Sequence, residues 1–259
     1  MVRPIGTTID RNHRIYVTDP GAACVHIFDP TKNTYRRLTS AGNHNLLQSP
    51  VDIKVTSEGR AFVTDSERAE VIAYDHKDEY LFTIKGYFQR PTGICIRDSR
   101  VYVVDTALNR IFTFDINGIY LGEYGRRGTQ PGEFNFPVFI TATEDLIIAD
   151  AMNFRIQVLG PEMESKLVFG EMGDVQGTFA RPKGIGVDSD GHIYVVDGLF
   201  NAFQIFDKGG NLLLVVGSSG YMPGQFNLPA GLFIDDEDKI YVVDTMNRRV
   251  QIFQYLGES

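Results

Sequence analysis

The apolar residues of this chain come in short runs closed by Asp/Gly turns. One stretch shows the pattern. Gly184 to Val187 is an apolar run (strand A) closed by Asp188-Ser189-Asp190-Gly191. Ile193-Tyr194-Val195-Val196 follows (strand B) and stops at Asp197. Phe203-Gln204-Ile205-Phe206 is a third run (strand C), the turn Asp207-Lys208-Gly209-Gly210 reverses it, and Leu212 to Val216 is a fourth (strand D). Such runs predict consecutive antiparallel hairpins. No window longer than a turn carries a helical period.

The phrase recurs six times. Its anchor prolines are Pro4, Pro50, Pro91, Pro137, Pro182 and Pro229, spaced 46, 41, 46, 45 and 47 residues apart. Strand B ends each time on an aspartate: Asp19, Asp65, Asp105, Asp150, Asp197 and Asp244. Strand B is apolar on both faces, as in Val101-Tyr102-Val103-Val104, which a sheet wetted on one side would not be. The outermost run is more polar, as in Thr34-Tyr35-Arg36-Arg37-Leu38. Four strands per repeat, six times over, predict an all-β fold: a six-bladed β-propeller of four-stranded antiparallel blades. The blades fall at about 4–49, 50–90, 91–136, 137–181, 182–228 and 229–259, in a single domain. The last unit reaches only strand C, Val250 to Tyr255, and three residues precede Pro4. A three-stranded sixth blade is expected, its edge taking a strand from a removed N-terminal segment or from another chain. Ring closure would then rest on packing of blades 1 and 6 alone.

Composition adds exclusions. Lys and Arg number 25 against 33 Asp and Glu, a net charge of −8, which argues against a nucleic-acid-binding surface. No apolar run approaches the roughly 18 residues of a membrane span. Cys24 and Cys95 stand in no metal-ligand spacing, and two blades separate them, beyond disulfide reach. No phosphate-loop, dinucleotide or nucleophile-elbow motif stands in a strand–turn–helix context, and no cofactor is expected.

The sequence resembles the NHL-repeat propellers. The residues that carry the resemblance are Pro182-Lys183-Gly184-Ile185-Gly186-Val187-Asp188 with Gly191 to Asp197, and Asp244-Thr245-Met246-Asn247-Arg248-Arg249-Val250-Gln251-Ile252-Phe253. The connection Pro223-Gly224-Gln225-Phe226-Asn227-Leu228-Pro229 and its copy Pro131 to Pro137 are similar to that family's inter-blade loop. More narrowly, the chain is similar to bacterial exported NHL proteins. That resemblance implies a periplasmic or extracellular location and the neighbourhood of multihaem cytochromes, with a c-type cytochrome as a partner. Peptide-amidating lyases of the wider family carry histidine metal ligands near the axis. Here His13 and His192 share an A–B turn, His76 lies in a C–D turn, and His26 lies within strand C. His44 alone falls in an inter-blade loop, and one histidine makes no zinc site.

Four columns of the repeat hold the candidate residues. The blade-end aspartates read as acceptors for turn amides rather than as a cation ring. Arg110, Arg155 and Arg249, five residues after their aspartates, read as partners of neighbouring turn carboxylates. Along strand A, the third position counted from the proline reads Gly6, Asp52, Gly93, Phe139, Gly184 and Gly231, with glycine expected where backbone crowds the axis. Asp52, with Lys54 two residues on, and Phe139 break that rule and are assigned to the channel. In the B–C loops, Met152, Leu199, Phe200 and Met246 gather on blades 4 to 6, with Tyr221 and Met222 nearby, and form a candidate patch for a protein or small ligand. The B–C and D–A loops carry opposite charges of about three units each, so the loop face reads as near neutral. The expected function is a non-enzymatic binding scaffold. The alternative is a propeller lyase or hydrolase acting at the channel.

Overall fold

The computed structural model describes residues 1–257 and shows six antiparallel sheets arranged as blades around an axis. Blade 1 is typical: Thr7–Ile9, Ile15–Asp19, Cys24–Asp29 and Thr34–Leu38 pair in sequence order, from the axis outward. Blade 5 follows the predicted runs, with strands Pro182–Val187, Ile193–Asp197, Ala202–Phe206 and Leu212–Val216. The sixth blade has three strands among the described residues: Leu232–Ile234, Lys239–Asp244 and Arg249–Gln254.

The core lies between blades. Val17, Val63, Val103, Ala149, Val195 and Val242 of the second strands are fully buried. Apolar clusters join neighbouring sheets, as Phe62, Val71 and Ile84 of blade 2 do with Ile94, Val103 and Phe112 of blade 3. This explains why strand B is apolar on both faces: each face meets another blade.

Inter-blade loops are fastened by a buried aromatic. Phe134, Phe179 and Phe226 are fully buried, each ring lying where a Cβ on Gly125, Gly170 or Gly217 would sit. Those glycines have φ of 91°, 96° and 112°, so both backbone conformation and space require glycine.

Two expectations need correction. The strand A glycines face the next blade's inner strand. A Cβ on Gly93 would lie 2.6 Å from Phe139 Cα, and one on Gly6 would lie 2.7 Å from Val51 O. The ring also closes by more than packing, since Gly231 N donates to Ile5 O at 2.8 Å across the junction of blades 6 and 1.

Candidate functional site

The six blade-end aspartates are fully buried and hold both ends of their loops. Asp197 shows the arrangement. One oxygen accepts from Ala180 N and Arg181 N in the incoming loop, and the other accepts from Leu199 N and Phe200 N in the B–C turn. Asp105 binds Gln89 N, Arg90 N, Ala107 N and Leu108 N in the same way. Asp19 binds Val2 N, Arg3 N and Ala22 N, and His26 Nε2 lies 3.0 Å from it. These carboxylates are spent on local structure.

The arginine column divides. Arg155 donates to Asp150 at 2.8 Å and to the carbonyls of Thr129, Gln130 and Glu133, which ties the loop to the blade. Burial still holds the Asp150 carboxyl above the ordinary carboxylate range. Arg249 repeats the pattern on Asp244 and the carbonyls of Met222 and Gln225. Arg110 instead pairs with Glu123 at the surface.

Asp52 is buried, with Lys54 Nζ 3.3 Å from its Oδ1. It also accepts from Ile53 N at 2.9 Å and, across the blade boundary, from Ile94 N at 3.1 Å. Its carboxylate does for blades 2 and 3 what a direct backbone bond does between blades 5 and 6 (Gly184 N to Ala230 O) and between blades 6 and 1 (Gly231 N to Ile5 O). Burial raises its pKa above the ordinary value, while Lys54 and the two amides oppose the rise. Neither Asp52 nor Lys54 reaches the loop-face opening, whereas Phe139 lies in its wall.

That opening is a cavity of about 750 Å³ at the loop-face end of the channel. Two columns of the repeat build it. The residue after each anchor proline supplies Ile5, Val51, Thr92, Val138, Lys183 and Ala230. The residue before it supplies Arg3, Arg90, Phe136, Arg181 and Leu228. In blades 2 to 5 the pairing of strands A and B shifts register just after the proline, and a bulge of this kind turns side chains away from the regular alternation. The backbone amides of Arg3, Arg90 and Arg181 are held by the blade-end aspartates. Those of Phe136 and Leu228, with φ of 57° and 48°, are held by Asn109 and Asn201 in the B–C turns of their own repeats.

The cavity joins two characters. Phe136, Phe139, Phe154, Met152 and Met246 give it apolar walls. Arg3, Arg90, Arg181 and Lys183 border it, and no Asp or Glu lines it. Arg90 lies over the Phe136 ring at 5.8 Å. None of the four cations forms an ion pair among the described residues. Burial, and then Arg181, lowers the Lys183 pKa to about 8. The opposite end of the channel is acidic, with Asp10, Asp235, Asp236 and Glu237 beside Arg11 and His13. The near-neutral loop count thus concealed a basic centre.

Of the expected patch, Met152 and Met246 in the cavity wall and Leu199 are each about half exposed, and Tyr221 is 77 % exposed. Phe200 departs from its expected exposure and is half-buried. Cys24 and Cys95 are buried and free. No group of three His, Cys, Asp or Glu side chains converges among the described residues.

The repeat, the ring of blades and the loop-face cavity together define an NHL-type propeller. The chain belongs to the six-bladed β-propeller family DUF5128, whose pattern it matches over residues 86–159 and 185–258. It is similar to the human E3 ubiquitin-protein ligase NHLRC1, at 29 % identity over 126 residues. It is also similar to the Drosophila melanogaster protein brain tumor, at 26 % over 135 residues. These regions cover 47 % and 50 % of this chain but only 30 % and 12 % of the relatives. Among solved structures, a structural-genomics protein from Bacteroides thetaiotaomicron matches with a TM-score of 0.75 at 16 % identity, over 98 % of this chain and 69 % of that one. Virginiamycin B lyase from Staphylococcus aureus matches with a TM-score of 0.70 at 14 % identity, over 99 % and 86 % of the two chains. These structural likenesses are of fold.

Proposed function

We propose that this propeller is a non-enzymatic recognition scaffold whose loop face takes a protein or small ligand. One observation carries the reading. Exposed apolar side chains, Met152, Met246, Leu199 and Tyr221, gather on the face that also opens into the axial cavity, and Met152 and Met246 stand in its wall. A concave apolar opening with a few convergent polar groups is the usual form of a ligand site. The similarity to bacterial exported NHL proteins supports a periplasmic or extracellular location and a c-type cytochrome as protein partner. A lyase or hydrolase acting at the same cavity is the second reading, favoured by the fold shared with virginiamycin B lyase.

Methionine-methyl NMR tests the proposal, because the reporters are already in place. Titration with small carboxylates, amines and neutral aromatics is expected to shift Met152 and Met246 and to leave Met163, in a C–D turn on the opposite face, unmoved. Shifts at Met163 with silence at Met152 and Met246 would contradict the reading. Chemical conversion of a bound compound would favour the lyase.

A further inference from the structure

We propose that the loop-face mouth of the axial channel binds a small organic anion, a carboxylate or phosphate carried on an aromatic body. The proposal rests on the loop face being the recognition surface and gives that surface a ligand class.

The cations are placed by the repeat. Arg3, Arg90 and Arg181 occupy one sequence position, the residue just before the anchor prolines of blades 1, 3 and 5. They therefore alternate around a six-membered ring and surround one opening. Lys183, just inside blade 5, adds a fourth charge to the same wall. The carboxylates that could neutralise them are committed elsewhere, since Asp19, Asp105 and Asp197 hold the backbone amides of these same arginines. The fold thus fixes each arginine's backbone with an anion and leaves its guanidinium without one. Three exposed arginines and a half-buried lysine around one opening give it a positive potential that favours an anion.

A second observation is independent of charge. The residue after the blade-end aspartate carries a hydroxyl in blades 2, 3 and 6. Ser66 Oγ donates to Pro91 O and Thr106 Oγ1 to Pro137 O, each at 2.6 Å and each across to the next blade. Thr245, the blade 6 member, is 7 % exposed and lies in the cavity wall, and its hydroxyl has no hydrogen-bond partner among the described residues. A buried hydroxyl left unsatisfied costs stability, and an anion in the cavity would accept a hydrogen bond from it. The aromatic body follows from Phe136, Phe139 and Phe154 in the same walls. A cavity of about 750 Å³ admits such a molecule.

Isothermal titration with 1-naphthyl phosphate, inorganic phosphate and 1-naphthol separates the two halves of this ligand. The aryl phosphate is expected to bind one-to-one and at least about tenfold more tightly than either control, as paired charge and apolar contacts predict. Arg181→Ala and Lys183→Met, verified as folded by circular dichroism, should each weaken it by about tenfold, while Lys208→Met on the opposite face should not. Two charged groups act on Lys183. Arg181 lowers its pKa, while Asp197 raises it and is already bonded to four amides. Affinity should therefore fall as pH rises through about 8, and this fall should be absent in Lys183→Met. Equal affinity for inorganic phosphate or naphthol, or full affinity in both variants, would overturn the proposal. If naphthyl phosphate fails while other compounds shift Met152 and Met246, the anion assignment falls and the loop-face reading stands. If every compound shifts Met163 alone, both fall.

Discussion

Lys183 follows Arg181 by two residues at the start of blade 5, and both side chains border the axial cavity with no carboxylate paired to either among the described residues. The arrangement sets binding against stability. At neutral pH Lys183 still carries its proton, because its pKa is about 8, yet burial and its neighbour disfavour that charge.

Lys183→Met should therefore stabilise the fold. The folded pKa of about 8 lies below the ordinary lysine value of 10.5, so between those limits the unfolded chain binds the extra proton and stability rises with pH. Below about pH 8 the full penalty applies. With solvent screening of a half-buried group, its removal is worth about 1–2 kcal/mol at pH 7 and nothing above about pH 11. Urea unfolding at the two pH values measures this, and a variant less stable than wild type at pH 7 would contradict it.

Asp52→Ala should destabilise by about 3 kcal/mol, because it strands Lys54 and leaves Ile53 N and Ile94 N without their acceptor. Adding Lys54→Met should recover part of the loss, which makes the double-mutant cycle strongly non-additive. Independent, additive effects would show that the two groups do not form a pair. The raised Asp52 pKa has its own sign. The folded chain holds that proton more tightly, so this group's contribution to stability falls as pH rises from about 3.8 through its higher folded value.

Glycine substitution separates the crowded positions from the open ones. A Cβ on Gly93 would lie 2.6 Å from Phe139 Cα, and one on Gly184 would lie 2.6 Å from Ala230 O. Backbone on the facing blade cannot yield as a side chain tip can. Ala at either position is expected to cost about 3 kcal/mol. Gly122, with nothing within 4 Å of its added Cβ, should accept Ala at under about 0.5 kcal/mol. Thermal unfolding of the three variants decides, and equal effects would refute the blade-contact account.

Two arginines of one sequence column should behave differently. Arg155→Ala removes four hydrogen bonds and leaves Asp150 buried without its cation, a loss of about 3 kcal/mol with faster amide exchange in the 126–135 loop. Arg110→Ala breaks only a surface pair with Glu123 and should cost under about 1 kcal/mol. Similar losses at both positions would show that the column, not the environment, sets the effect.

The blades were legible in the sequence because their determinants are local. The anchor prolines, the blade-end aspartates and the Asp/Gly turns each act within a hairpin, so the period and nearly every strand could be read directly. The three strands that the sixth blade has among the described residues were read the same way. The cavity was not legible, for a physical reason. The break in the glycine column pointed to the third residue from the proline, and so to Asp52 and Phe139, as the axial position. The register shift after Pro50, Pro91, Pro137 and Pro182 gives that role to the second residue, and with it to Lys183. The charge of the loop face misled likewise, because a sum over loops cannot show that Arg3, Arg90 and Arg181 border one opening while the acids bind backbone. A signal was present in the residue before each proline, Arg3, Ser49, Arg90, Phe136, Arg181 and Leu228, where arginine recurs in every second blade.

A crystal structure of the protein with 1-naphthyl phosphate tests the central claim most directly. The account predicts the ring against Phe136, Phe139 and Phe154, with phosphate oxygens within hydrogen-bond distance of Arg90 or Arg181, of Lys183 and of the Thr245 hydroxyl. Phosphate bound at Arg11 and His13 on the opposite face, or an empty mouth in crystals soaked well above the measured dissociation constant, would contradict it.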